Sequence, residues 1–123
     1  MNITVQELIN EYRNQAMICS AIDYADKHSV KSNNDAIGKM YKIVDTIVSD
    51  FGVDGTEQFS SLLDSTDNRV NIWAATHLLE RMKPDSTIEE KALAIIKNVS
   101  TQNNTIGLGF RRWLQSKKKR QQN

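Results

Sequence analysis

The sequence has few of the residues that interrupt helices or cross-link a chain: one proline, five glycines and one cysteine in 123 residues. The single thiol, Cys19, forms no internal disulfide, which is typical of a protein from a reducing cytoplasm. No apolar run approaches the roughly 18 residues of a membrane-spanning helix. The N-terminus carries Glu7 and Glu11 and lacks the basic start and apolar segment of a signal peptide. We therefore expect a cytoplasmic protein that does not enter a membrane.

Motifs for catalysis and cofactor binding are also missing. The two histidines, His28 and His77, belong to no H-x-x-x-H or H-E-x-x-H pattern, and no C-x-x-C occurs. The only candidate for a phosphate loop, Gly107-Leu108-Gly109, lacks the third glycine and a preceding strand. No G-x-S-x-G nucleophile elbow is present. The sequence therefore predicts that the protein is not an enzyme and that it uses no cofactor and no metal.

Composition and charge indicate one folded domain with two unlike halves. Hydrophobic residues make up 39% and charged residues 25%, a balance typical of globular domains. Residues 1–66 contain ten acidic and five basic residues, whereas residues 67–123 contain five acidic and eleven basic ones. We expect one helical domain over residues 1–116 and a basic tail at 117–123. Such a bipolar chain can associate with itself or bind an acidic partner, although a solubilising tail is the simpler explanation.

Apolar residues at helical spacing predict two N-terminal helices that pack as an antiparallel pair. The first begins with a T-x-x-E capping box at Thr4, and its apolar stripe continues to about His28, with a bend near Cys19-Ser20. A polar connector over 29–34 separates it from the second helix. Gly52 is expected to end that helix, because glycine adopts a positive φ at little cost. The candidate caps of the second helix are Asn33, Asn34 and Asp35.

Four further helices follow, joined by short polar turns. Their predicted spans are 56–64, 68–82, 86–99 and 105–116. The helix over 68–82, with Asp67 or Asn68 as its cap, has an apolar stripe that includes Ala74 and Leu78. The next helix starts with a second capping box, Ser86–Glu89. Because no segment alternates with a period of two, we predict an all-α fold of about six helices in antiparallel pairs.

The segment 56–82 has the outline of a HEAT-like repeat, with a short helix, a polar turn and then N-R-V-x-x-x-A-A-x-x-L-L. Over about residues 4–116 the chain resembles a family of small bacterial helical proteins of unknown function that share this motif and a short C-terminal helix. The matching residues are Asn68, Arg69, Val70, Ala74, Ala75, Leu78, Gly107, Leu108, Gly109, Phe110 and Leu114. The resemblance implies a HEAT-like superhelix of stacked helices and carries no active site.

The first candidate binding site is a ridge of residues four apart on the helix over 68–82: Arg69, Trp73, His77 and Arg81. An exposed tryptophan between arginines has the composition of a protein-binding hot spot. The alternative is that Trp73 is half-buried against a neighbouring helix, and that the two arginines pair with Asp67 and Glu80.

The second candidate is the basic C-terminal segment, whose cations are Arg111, Arg112, Lys117, Lys118, Lys119 and Arg120. Clustered positive charge binds phosphate groups, and an aromatic residue such as Trp113 can stack on bases. However, Trp113 shares an apolar face with Phe110 and Leu114, which favours packing.

The leading hypothesis is therefore a non-enzymatic protein-binding module, either an adaptor or an inhibitor that neutralises a toxin. The alternative is a helical-repeat protein that binds nucleic acid through its basic C-terminal end. The expected partner is another protein, and the ends of a short helical stack also leave homo-oligomerisation open.

Overall fold

The computed structural model describes residues 3–101, most of whose backbone is helical. Its α-helices are α1 (Val5–Ser20), α2 (Lys27–Phe59), α3 (Val70–Arg81) and α4 (Ser86–Ser100). Two short 3₁₀ segments, Ser60–Asp64 and Asp67–Arg69, connect α2 to α3. Helical residues make up 85% of this part of the chain, which contains no strand. The all-α prediction is confirmed, whereas the predicted helix over 105–116 and the tail at 117–123 lie outside the described residues.

The first helix is shorter than predicted and the second begins earlier. α1 starts at the predicted cap, where Thr4 Oγ1 accepts a hydrogen bond from the Glu7 N–H at 3.1 Å, but it ends at Ser20 and not near His28. Polar side chains cause this, because short aspartate side chains compete for backbone N–H groups. Asp23 accepts the Ala25 N–H at 3.0 Å. The place predicted as a bend is therefore the end of the helix.

The cap of α2 is Asp26, whose Oδ1 accepts the His28 N–H at 2.9 Å. The prediction that Asn33, Asn34 or Asp35 caps this helix is therefore wrong. The predicted polar connector over 29–34 forms part of the first turns of α2.

Gly52 divides α2 into two helical parts that meet at a kink. Its backbone has φ 58° and ψ −137°, so the predicted positive φ is present. The second part begins directly after Gly52, so no corner forms over 53–55. The predicted helix over 56–64 corresponds to the end of this second part and the 3₁₀ segment Ser60–Asp64. Gly55 lets the part of α2 after Gly52 lie close to the part before it. A Cβ at position 55 would be only 2.6 Å from Phe51 Cβ and 2.9 Å from Ile47 Cγ2.

The entry into α3 also differs from the prediction. Neither Asp67 nor Asn68 caps it; Arg69 occupies the cap position with φ 59° and makes no side-chain capping bond. Asn68, with φ 53°, precedes it in the same left-handed region. In α4, Asp85 and not Ser86 is the cap, and it accepts the Ile88 N–H at 2.9 Å.

The core lies where the four helices meet. α1 packs against α2, and α3 packs against α4 and against the 3₁₀ segment 60–64. The stripe predicted on α3 faces this core, since Ala74, Ala75 and Leu78 have no exposed surface. The largest fully buried side chains are Tyr12, Phe59, Met40, Ile47, Leu62, Leu78, Ile96, His77, Val44 and Val70. A tyrosine and a histidine thus lie among apolar residues, and they define the candidate site below.

Two glycines of α2 provide a matched test of the close approach at Gly55. The methyl group added by Gly55→Ala would clash with Phe51 and Ile47, which would have to move away from it. We therefore expect a loss of about 1–3 kcal/mol in the free energy of unfolding. Gly38 has no atom within 4 Å of a built Cβ, so Gly38→Ala should raise stability by roughly 0.5–1 kcal/mol through helix propensity. Urea unfolding followed by circular dichroism measures both. Equal effects of the two substitutions would contradict the packing described for Gly55.

Candidate functional site

The candidate site is centred on His77, a fully buried side chain of α3 that touches aromatic rings from three helices. Its ring centroid lies 5.7 Å from that of Tyr12 on α1, 4.7 Å from that of Tyr41 on α2 and 5.9 Å from that of Trp73 on α3. Tyr12 in turn packs edge-on against Phe59, with a centroid distance of 4.9 Å. His77 therefore connects the interior of the domain to the rings nearer its surface.

A hydrogen bond of 2.6 Å joins the Tyr12 hydroxyl to His77 Nδ1. Burial raises the pKa of Tyr12 well above its ordinary value, and burial lowers the pKa of His77 from 6.5 to about 4. Both groups are therefore uncharged at neutral pH. If Tyr12 donates to Nδ1, only the Nε2–H of His77 is left without a partner. The opposite tautomer would also leave the Tyr12 O–H unsatisfied, so the first arrangement costs less.

Above His77, Tyr41, Trp73 and Arg81 form what we call the α2–α3 surface. Tyr41 and Trp73 are half-buried and Arg81 is exposed. The Arg81 guanidinium lies over the Tyr41 ring, with Cζ 4.8 Å from its centroid, which is within the range of a cation–π contact.

Two acidic side chains, Asp45 and Glu80, contact residues of the α2–α3 surface. Arg81 Nη1 lies 3.7 Å from Asp45 Oδ2, and the Tyr41 hydroxyl donates a 3.2 Å hydrogen bond to Glu80 Oε2. Burial raises the pKa of Tyr41, and the Glu80 carboxylate raises it further. The phenol therefore stays protonated and keeps donating to Glu80.

The structure places the four residues of the predicted ridge in different environments. Arg69 precedes α3 in a left-handed conformation, so it does not continue the helical spacing. His77 is fully buried, Trp73 is half-buried and Arg81 is exposed. Arg81 pairs with Asp45 across the two helices.

Sequence reasoning missed the three partners of this group, Tyr12, Tyr41 and Asp45. Both tyrosines lie at helical spacing among apolar residues of the two N-terminal helices, and a buried tyrosine hydroxyl needs a hydrogen-bond partner. This requirement could have indicated the pair, because a buried tyrosine hydroxyl and a buried imidazole can form a hydrogen bond with each other.

The remaining candidate residues either are buried or lie outside the described part. Cys19 is buried, and burial raises the pKa of its thiol. The six cations of the C-terminal segment, Arg111, Arg112, Lys117, Lys118, Lys119 and Arg120, lie beyond residue 101. Within residues 3–101, no group of three or more histidine, cysteine, aspartate or glutamate side chains could hold a metal ion. No helix of this part is long and apolar enough to cross a membrane.

Comparison with known proteins gave no match: no family model fits the chain, and no curated protein or solved structure is significantly similar to it. The resemblance to small bacterial helical proteins with HEAT-like repeats therefore stays a prediction.

The hydrogen bond between Tyr12 and His77 can be tested by removing one hydroxyl group. Tyr12→Phe leaves Nδ1 buried and unsatisfied, and we expect a loss of about 1–3 kcal/mol in the free energy of unfolding at neutral pH. Tyr24, which is 81% exposed, provides the matched control, since Tyr24→Phe should change stability by less than about 0.5 kcal/mol. Urea unfolding measures both variants. A Tyr12→Phe protein as stable as the wild type would show that the bond contributes nothing.

Proposed function

We propose that this chain is a non-enzymatic protein-binding module of the cytoplasm, an adaptor or a toxin-neutralising inhibitor, and that the α2–α3 surface is its contact site. The observation that carries the proposal is the stacking of Arg81 on Tyr41, together with the packing of Tyr41 and Trp73 against the same His77 ring. Tryptophan, tyrosine and arginine are the residues that most often dominate the energy of protein interfaces.

Preorganisation of these side chains supports the proposal. Asp45 and the Tyr41 ring hold the Arg81 guanidinium on two sides, and His77 packs against Tyr41 and Trp73. Side chains already held in one arrangement lose less conformational entropy when a partner binds. About half of the Arg81 side chain is exposed, at 48%, so its guanidinium is still accessible to a partner.

The architecture that we propose is a HEAT-like superhelix of about six helices, including the one predicted over 105–116. Its support is the packing of α3 between the 3₁₀ segment 60–64 and α4, together with the burial of the small residues Ala74 and Ala75. Small residues at these positions let neighbouring helices approach closely, as stacked repeats require.

A pull-down from the native host tests the protein-binding proposal. Tagged wild type, Arg81→Ala and the matched control Lys97→Ala, which removes an exposed cation from α4, are compared by quantitative mass spectrometry at moderate salt. We expect a protein that is enriched by the wild type and by Lys97→Ala, and that falls by at least about tenfold with Arg81→Ala. If no protein is enriched, or if Arg81→Ala captures the same protein equally well, the proposal is wrong.

The alternative proposal, nucleic-acid binding through the C-terminal end, is favoured by the distribution of charge. All 15 acidic residues lie between Glu7 and Glu90, whereas residues 102–123 contain six basic residues and no acidic one. The helical domain would repel phosphate groups, so binding would depend on the terminal cations alone.

A gel-shift experiment at low salt tests this alternative. We expect a shift that weakens steeply with added salt, and that is lost when the six cations from Arg111 to Arg120 are replaced by glutamine. Replacement of Lys83, Lys91 and Lys97 is the control within the helical domain and should leave the shift unchanged. Absence of a shift with the intact protein at low salt would exclude the alternative.

A further inference from the structure

The buried position of His77 makes the α2–α3 surface depend on the charge of one ring. The imidazole has no exposed surface, and its Nε2 is buried without a hydrogen-bond partner among the described residues. Its Nδ1 accepts the Tyr12 hydroxyl. Tyr41 and Trp73 pack against the same ring. A change at this imidazole therefore reaches α1, α2 and α3 together.

Uptake of a proton at Nδ1 is unfavourable for two reasons. The site is occupied by the hydrogen that Tyr12 donates, so the hydroxyl would have to turn away and lose its acceptor. The ring would also become a cation with no contact to water. Its exposure is 0%.

The ionisable groups around His77 do not remove this cost. They are Tyr12 from α1, Tyr41 and Asp45 from α2, and Glu80 and Arg81 from α3. Asp45 and Glu80 favour the protonated ring, but they are engaged with Arg81 and with the Tyr41 hydroxyl. Arg81 opposes a second positive charge.

We propose that His77 is an acid-sensitive latch: a proton taken up from solvent at Nδ1 leaves the Tyr12 hydroxyl without its acceptor and places a cation among the buried rings, so that the packing of Tyr41 and Trp73 around His77, and with it the α2–α3 surface, loosens in acid. This inference rests on the proposed function only for the role of that surface. The experiment below needs no binding partner, so its outcome is independent of the pull-down.

The direction of the pH dependence follows from the depressed pKa of His77. The unfolded chain takes up a proton near the ordinary value of 6.5, whereas the folded chain does so at about 4. The stabilisation from the neutral ring is therefore complete above pH 6.5, and it is lost as the pH falls towards 4. Below that value this group causes no further loss, and the total change in the ratio of folded to unfolded protein is on the order of a hundredfold.

The test uses the full chain with Trp113→Phe and His28→Gln, so that Trp73 is the only tryptophan and His77 the only histidine. Acrylamide quenching of Trp73 fluorescence is recorded from about pH 7.5 to about pH 4, alongside the NMR signal of the imidazole. In this parent we expect quenching to increase by about twofold or more as the pH falls through the window from 6.5 to 4. Quenching that stays constant over that range would overturn the latch.

His77→Asn in the same background removes the imidazole and leaves every other ionisable group in place. The asparagine Oδ1 is attached at Cγ, as Nδ1 is, so it can accept from Tyr12 but takes up no proton. We expect its quenching to change less than that of the parent between pH 6.5 and pH 4. Identical pH profiles for the parent and for His77→Asn would assign the change to other groups and overturn the proposal.

Tyr12→Phe is the second variant, and it decides the matter if His77→Asn does not fold. Without the donated hydrogen bond, Nδ1 takes up a proton more easily, so the increase in Trp73 quenching should occur at higher pH than in the parent. An unchanged or lower midpoint in Tyr12→Phe would contradict the role assigned to the Tyr12 hydroxyl.

Discussion

The hydrogen bond between the Tyr12 hydroxyl and His77 Nδ1 is the interaction on which the rest of this structure depends. It joins α1 to α3 across 65 positions of sequence, and it gives two buried polar groups a partner that water would otherwise supply. The apolar packing around it, with Phe59 against Tyr12, would otherwise enclose an unsatisfied donor and acceptor. The same bond fixes the position of His77, against which Tyr41 and Trp73 pack. The arrangement of the α2–α3 surface therefore follows from a hydrogen bond in the interior.

Much of the fold could be predicted from the sequence, because local patterns determine it. The burial of Ala74 and Leu78 follows from helical spacing, and the cap at Thr4 follows from a side chain that can reach its own first turn. The positive φ of Gly52 follows from the missing Cβ. Helix ends were harder to predict where side chains compete with the helix: Asp26 caps α2 at a point where the apolar stripe gave no signal of a boundary.

The candidate site could be predicted only in part, because its members come from different helices. The sequence placed Trp73 and Arg81 on one side of a helix, but the same spacing put His77 beside them and not beneath them. How deeply a polar residue beside the apolar stripe is buried depends on the neighbouring helices, here on Tyr12 and Tyr41, and periodicity within one helix does not determine it. Arg69 was misplaced for another reason, since a left-handed arginine before a helix has no signature in the sequence.

The interruption at Gly52 has a consequence for how the domain can be divided. α2 packs against α1 and also against α3 and the 3₁₀ segment that precedes α3, so one continuous segment belongs to both groups of helices. Val53, beside the interruption, is 79% exposed. Cleavage there would separate Tyr12 from Phe59 and His77, so that neither fragment would contain a complete interior. The four described helices therefore share one interior.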